Sequence, residues 1–510
     1  MRSWKRAAIA SLVAAPLAVV PAAVSIAASA PAARAEASAP RELAKVAADP
    51  TPVMGWSSWS FLRMGSTATD LEREARAMVS TGLSAVGYKY INQDDNWYEC
   101  PGPQGPNVDK YGRWITNPAF FPPGPRGENG IAVVARYVHR LGLRFGVYLT
   151  PGISEQAVQD NTRVLGTPYT ADEIATKTPE NNYNCGGMVG IDYAKPGAQA
   201  YVDSVVDELA SWGVDYIKLD GITDSNGADV KAWSAAIKHS GRPMVLNITQ
   251  GSFDIKLAPV LKKYANQWEW TPDIEINGPD EGSANSCNAP PFTGCLSVFP
   301  LTSFAHWSDR FAAAAQWQRY GGPGGFNDYD SIEVGNGSAA SGMSLAASES
   351  QLSLWALGSA PLILGGDLTS AVTNAYGTRA SLTRRDLALI ENRQVIEVDQ
   401  DAIDASRIAV AGSPGHRAGH QVFAKTERRG DAIVGLFNTT TDLSSRAVTL
   451  TVTASALGLP ADPHGYLVQN LWGGQSVVAG RTTRVISSAG VIRASVPAEG
   501  VALFQVTPLP

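Results

Sequence analysis

The chain has 510 residues, a formal net charge of −6 and only 17% charged residues, with 13 Trp and 16 Tyr. That length allows one large domain and a smaller one with real cores, and the acidic balance without a basic stripe excludes a nucleic-acid partner. The aromatics suit stacking on sugar rings and filling large cores equally well.

Residues 1–35 read as a signal peptide. Arg2, Lys5 and Arg6 precede an apolar run, Ala7 to Val24, and Ala33-Arg34-Ala35 offers a cleavage site of small residues. Pro16 and Pro21 interrupt that run and argue against a membrane anchor. Residues 36–49 then form a linker, and no later stretch approaches about 18 consecutive apolar residues. The mature chain is expected to be secreted, with no membrane partner; its oligomeric state is not legible.

From residue 50, strand-then-helix units recur. Pro52 to Trp56 is the first strand, followed by a helix over 69–80, and Gly87 to Asn92 is the second, running into Gln93-Asp94-Asp95-Asn96-Trp97. A helix over 131–141 leads to a third strand, 143–149. Residues 154–190 are a long insertion. Next come a helix, Tyr201 to Trp212, stopped by Gly213, and a short apolar strand, Val214 to Leu219, ending in Asp220. A helix over 230–238 precedes a fifth strand, 243–248; 267–270 is a weak sixth, 324–328 a seventh, and a helix over 350–358 leads to an eighth, 361–365. Eight such units spanning 50–405 predict a (β/α)8 TIM barrel. Residues 406–510 change texture: short β-branched segments at 420–425, 432–438, 447–452, 465–470 and 500–506 predict an antiparallel β-sandwich, either a sugar-binding module or a packing partner for the barrel.

Four cysteines in an exported chain imply two disulfides. Cys287 and Cys295 share a Pro/Asn/Gly-rich loop and are paired, which leaves Cys100 with Cys185. No Cys or His grouping has metal-ligand spacing, so no metal is expected.

The chemistry lies in acids at strand ends. Asp94, Asp95, Asp220, Asp273, Asp328 and Asp330 fall where a barrel gathers its active site, although Asp220 could simply cap the next helix. Two carboxyl groups facing one another across a sugar are the minimum for glycoside hydrolysis. Lys218 points the same way as Asp220 on a strand of period two, and its charge is expected to keep Asp220 ionised. A structural salt bridge is the competing explanation.

Several separate stretches, in order, resemble the α-galactosidase (melibiase) family, glycoside hydrolase family 27. They are Met54-Gly55-Trp56-Ser57-Ser58-Trp59, Ile91 to Trp97, Tyr216 to Asp220, Gly324 to Gly337, and Leu354 to Leu357 with Ala360-Pro361-Leu362 and Asp367-Leu368. The resemblance implies a barrel followed by an antiparallel β domain, and a retaining double displacement without a cofactor. It assigns Asp220 as nucleophile and Asp273 as acid/base. Trp59, Asp94, Asp95, Tyr148, Lys218 and Asp330 become contacts to a carbohydrate substrate. Three positions depart from the pattern. No acid stands in Leu246 to Gln250, where α-galactosidases carry a Glu, Asn96 replaces a Cys, and Glu269 replaces an Arg. Glu269 is expected to reach into the site beside Asp273, and the substituent at C2 of the sugar to be read differently. Hydrolysis of terminal α-linked galactose or a related sugar is the function implied. The alternatives are an isomalto-dextranase-like hydrolase acting on α-glucans and a carbohydrate-binding protein without catalysis.

Overall fold

The computed structural model describes residues 50–509 except 252–253, 276–299, 336–340, 370–381, 408–418, 428–429, 463, 474–483 and 488–489. The expected signal peptide, the linker and the Cys287–Cys295 pair lie outside the described residues.

Eight short strands form one parallel sheet: β1 (Met54–Ser57), β2 (Tyr90–Gln93), β3 (Arg144–Leu149), β4 (Tyr216–Leu219), β5 (Val245–Thr249), β6 (Gln267–Glu269), β7 (Phe326–Asp328) and β8 (Leu362–Leu364). Their order is β7-β6-β5-β4-β3-β2-β1-β8. Ile332, just past β7, closes the ring against β8: its amide donates to Ile363 O at 2.7 Å and its carbonyl accepts from Gly365 N at 3.0 Å. Each expected strand is present, shifted by a few residues at most. Nearly every strand residue is buried, as helices covering the outer face require.

The helices run Ala68–Ser80, Gly130–Arg140, Ala198–Trp212, Gly227–His239, Ala258–Tyr264, Arg310–Trp317 and Leu345–Leu357, besides shorter turns. Thr67 and Asp70 cap the first of them reciprocally. Gly213 ends the third in the left-handed region, φ +89°, which turns the chain straight into β4. Helices 258–264 and 310–317 are not in the sequence expectation. They are short, and four consecutive alanines in the second blur the face formed by Phe311, Ala314 and Trp317.

The insertion is not a plain loop. Ile153–Ser154, Ala175–Glu180 and Met188–Ile191 pair antiparallel into a small sheet. Exposed Lys177 and Thr178, with Pro179 inside the edge strand Ala175–Glu180, hide it from a period-two pattern. A disulfide joins Cys100, in the loop after β2, to Cys185 in this insertion.

Beyond the barrel, strands Ser406–Arg407, His420–Thr426, Ala432–Asn438, Val501–Pro508, Tyr466–Asn470 and Arg484–Ser487 form one antiparallel sheet in that order, and Val448–Thr453 pairs with Val491–Val496 in a second. Val434, Leu436, Val452, Ile492 and Phe504 share the core of this layer pair. Its strands also cover the outer side of helix Leu345–Leu357, leaving Ala347 to Leu357 buried all round. Trp472 Nε1 donates to Ser353 Oγ at 2.9 Å across that contact. The fully buried Lys425 ammonium donates to Ala356 O at 3.1 Å, Ile403 O at 2.9 Å and Asp401 Oδ1 at 2.8 Å. Among the described residues, no helix is long and apolar enough to cross a membrane.

Candidate active site

The carboxyl ends of the strands place most of the expected side chains at one mouth. Asp220 is the first residue past β4; its amide donates to Leu149 O at 2.8 Å, and its Oδ1 accepts from Gly221 N at 2.6 Å. Gly221 takes φ +72°, and a Cβ there would sit 2.8 Å from Asn181 O, so only glycine lets the chain turn away so closely behind this carboxylate. Two residues earlier, Lys218 Nζ lies 3.0 Å from Asp94 Oδ2.

Asp94 and Asp95 follow β2 and are buried. Ser58 Oγ accepts from Asp94 N at 3.0 Å; Asp95 accepts from Tyr98 OH at 2.7 Å and from Asn184 Nδ2 at 2.5 Å. Tyr148, on β3, is buried beside them, and its carbonyl accepts from Trp97 Nε1 at 2.7 Å. Trp59 opens a short helix just past β1, partly exposed, with the Arg63 guanidinium 5.0 Å from its ring centroid.

Glu269, Asp273 and Asp330 form the opposite wall, their carboxylate oxygens within 4.8 Å of one another. Glu269, at the end of β6, is buried; its Oε2 accepts from Thr249 Oγ1 at 3.2 Å, while Oε1 has no hydrogen-bond partner. Asp330 is held at φ +77°, unusual for a residue with a Cβ, by Trp355 Nε1 donating to its carbonyl at 2.8 Å. Asp273 is exposed. Below these acids lies a cavity of about 30 Å³ lined by Asn92, Tyr216, Asn247 and Asp328 among others. Asp94, Lys218, Glu269 and Asp330 line it as well, so it forms the inner end of the site. Asn247 donates to Asp328 Oδ2 at 2.7 Å there.

Burial governs the protonation of this pocket. Desolvation pushes Asp220 up to about 7; Lys218 pulls it back and Asp273 pushes it further. Lys218 favours the ionised form of Asp220, the direction expected from the sequence, against a larger opposing cost of burying the carboxylate. Burial works against the Lys218 ammonium too, but Asp94, then Glu269, Asp220 and Asp273, outweigh it and hold the group well above the usual lysine range. Burial, then Asp330, pushes Glu269 well up, and burial with Asp273 raises Asp330 to about 6.

Three further residues enter without having been singled out from the sequence. Tyr98 and Asn184 hold Asp95, and the buried Arg310 grips the residues before Asp273. Only Asn184 had a sequence signal, an Asn-rich segment beside a disulfide cysteine. Tyr183 of the same segment stays 56% exposed while lying in the field of Asp220, Asp273 and Glu269, which places it at the rim.

The Alpha galactosidase A family profile matches residues 51–160 and 300–401, and the Alpha galactosidase C-terminal beta sandwich domain profile matches 417–506. An α-galactosidase of Cyamopsis tetragonoloba is 31% identical over 369 residues, 71% of this chain and 67% of that protein. One of Oryza sativa subsp. japonica is 28% identical over 461 residues, covering 90% and 85%. Among solved structures, a GH27 β-L-arabinopyranosidase from Geobacillus stearothermophilus superposes with a TM-score of 0.72 at 25% identity, over 90% of this chain and 97% of its own. α-Galactosidase I from Mortierella vinacea gives a TM-score of 0.63 at 24% identity, over 90% and 97%. With barrel, sandwich and strand-end acids in place, the chain belongs to glycoside hydrolase family 27, the α-galactosidase family, and is an O-glycosyl hydrolase of the α-galactosidase type.

Proposed function

We propose that this protein removes terminal α-linked galactose by a retaining double displacement carried by Asp220 and Asp273. The observation that carries the proposal is the gathering of acids around the partly buried Lys218: it pairs with Asp94 at 3.0 Å two residues before Asp220, and it lines one pocket with Glu269 and Asp330, whose carboxylates lie within 4.8 Å of Asp273, so nucleophile and acid share a single site.

Ionised Asp220 attacks the anomeric carbon while Asp273 gives its proton to the glycosidic oxygen, and the bond to the aglycone breaks. Water then attacks the glycosyl-Asp220 ester, losing a proton to Asp273, and frees the sugar. Asp94 and Lys218, already paired, offer an acceptor and a donor to adjacent sugar hydroxyls, and the held Asp95 carboxylate lies beside them. Tyr148 walls the same side, and Trp59 stands at the mouth. Rigid partners around these groups keep their geometry fixed as charge develops on the ring. A second reading, an α-glucan-directed hydrolase of the same family, draws on Glu269, a carboxyl group at the position where the family pattern has an arginine. We further propose that the protein is exported by residues 1–35; the Cys100–Cys185 bridge fits an oxidising compartment.

Asp220→Ala tests the assignment. The variant should fold normally and lose at least about 10³-fold in turnover of an aryl α-galactoside. Azide, filling the space of the missing carboxylate, should restore cleavage and yield β-galactosyl azide. A variant that keeps more than a few per cent of the wild-type rate contradicts the assignment.

A further inference from the structure

Asp273 is exposed, so its place is set by the segment on either side of it, which is gripped at three backbone atoms and one side chain. Arg310 Nη2 donates to Thr271 Oγ1 at 2.9 Å and also to Pro272 O. Asp330 Oδ2 accepts from Ile274 N at 2.8 Å, and Thr302 Oγ1 donates to Ile274 O at 2.5 Å. Arg310 Nη2 lies 3.8 Å from Asp330 Oδ2, which closes the ring around the segment. Arg310 is 1% exposed and Thr271 and Thr302 are fully buried, so these contacts form away from water, where a fixed charge holds strongly. The second terminal nitrogen, Nη1, donates to Asp309 Oδ1 at 2.9 Å and His306 O at 3.3 Å, tying the fork to the turn that precedes its own helix. A rigid planar donor suits this task where a lysine ammonium on its flexible stem does not.

We propose that Arg310 is a positioning residue for proton transfer: it fixes the segment Thr271 to Ile274 so that the Asp273 carboxyl meets the glycosidic oxygen. The inference rests on the assignment of Asp273 as acid/base. In that step the O–H bond of Asp273 breaks, a new O–H bond forms on the aglycone oxygen, the C1–O bond to the aglycone breaks and C1 bonds to Asp220. Arg310 touches none of these atoms. It acts only on the distance over which the proton moves, and general acid catalysis is sensitive to that distance.

The consequence is selective. An aglycone that leaves well without a proton gains little from Asp273, whereas an alkyl or sugar aglycone depends on it. Arg310→Lys and the near-isosteric Thr271→Val should be compared with wild type on a dinitrophenyl α-galactoside and on melibiose, with Asp273→Ala as control. Both variants should lose about 10²-fold in kcat/KM on melibiose and less than about threefold on the dinitrophenyl glycoside. A loss equal on both substrates means that Arg310 serves only general stability and overturns the inference. If Asp273→Ala also shows equal losses, the acid/base assignment beneath it falls too. Should Arg310→Lys fail to fold, Thr271→Val alone decides, since it removes one grip and no charge.

Discussion

Lys218→Met should move the acidic limb of the kcat/KM profile to higher pH. The free enzyme needs Asp220 ionised, and with that group at about 7 the wild-type limb should fall near the same pH, activity rising as pH rises through it. Side chains two residues apart on a strand stand about 7 Å apart. At an effective dielectric near 20, unit charges at that separation interact by about 2.4 kcal/mol. With about 1.4 kcal/mol per pH unit, removing the ammonium should raise the limb by between about one and two pH units. Asp94, which loses its ion pair 3.0 Å away, adds to the rise rather than opposing it. The assay is kcat/KM on an aryl α-galactoside from pH 4 to 10, with folding checked at each end. A limb that stays near 7, or moves lower, would refute the idea that Lys218 and burial oppose each other at Asp220.

Three further outcomes are expected. Tyr183→Ala should raise KM for a galacto-oligosaccharide about fivefold and leave kcat unchanged, because an exposed ring at the rim supplies roughly 1 kcal/mol of stacking; an unchanged KM would remove it from the substrate path. Deleting 406–510 should give insoluble protein, since it uncovers helix Leu345–Leu357, buried on every side. Soluble barrel with full activity but weakened polysaccharide binding would instead mark the β domain as a sugar-binding module. Replacing Cys100 and Cys185 by Ser should cost about 2–4 kcal/mol of unfolding free energy and lower Tm, read by calorimetry.

The barrel was legible because most strands are short apolar runs ending in a polar or acidic residue and helices such as Ala68–Ser80 and Gly130–Arg140 carry an apolar stripe. Val214 to Asp220 contains both signals, and the structure begins β4 two residues later than the pattern does. The sheet within 153–191 was not legible, since Ala175–Glu180 is a partly exposed edge strand with a proline. Helix Arg310–Trp317 escaped for a different reason: four consecutive alanines carry no facing information. At the site, acids at strand ends could be found one by one, but their partners could not. Arg310 lies 37 residues after Asp273 in sequence, and nothing in its local pattern tells of Thr271 or Pro272. The balance at Asp220 was equally hidden, because neighbouring charge is visible in a sequence and depth of burial is not.

The central claim, retention through a glycosyl-Asp220 intermediate, is tested most directly by following the anomer first released. Proton NMR of an aryl α-galactoside digest, recorded before mutarotation, should show α-galactose as the initial product. β-Galactose appearing first would mean a single inverting displacement by water, and would contradict the roles given to Asp220 and Asp273.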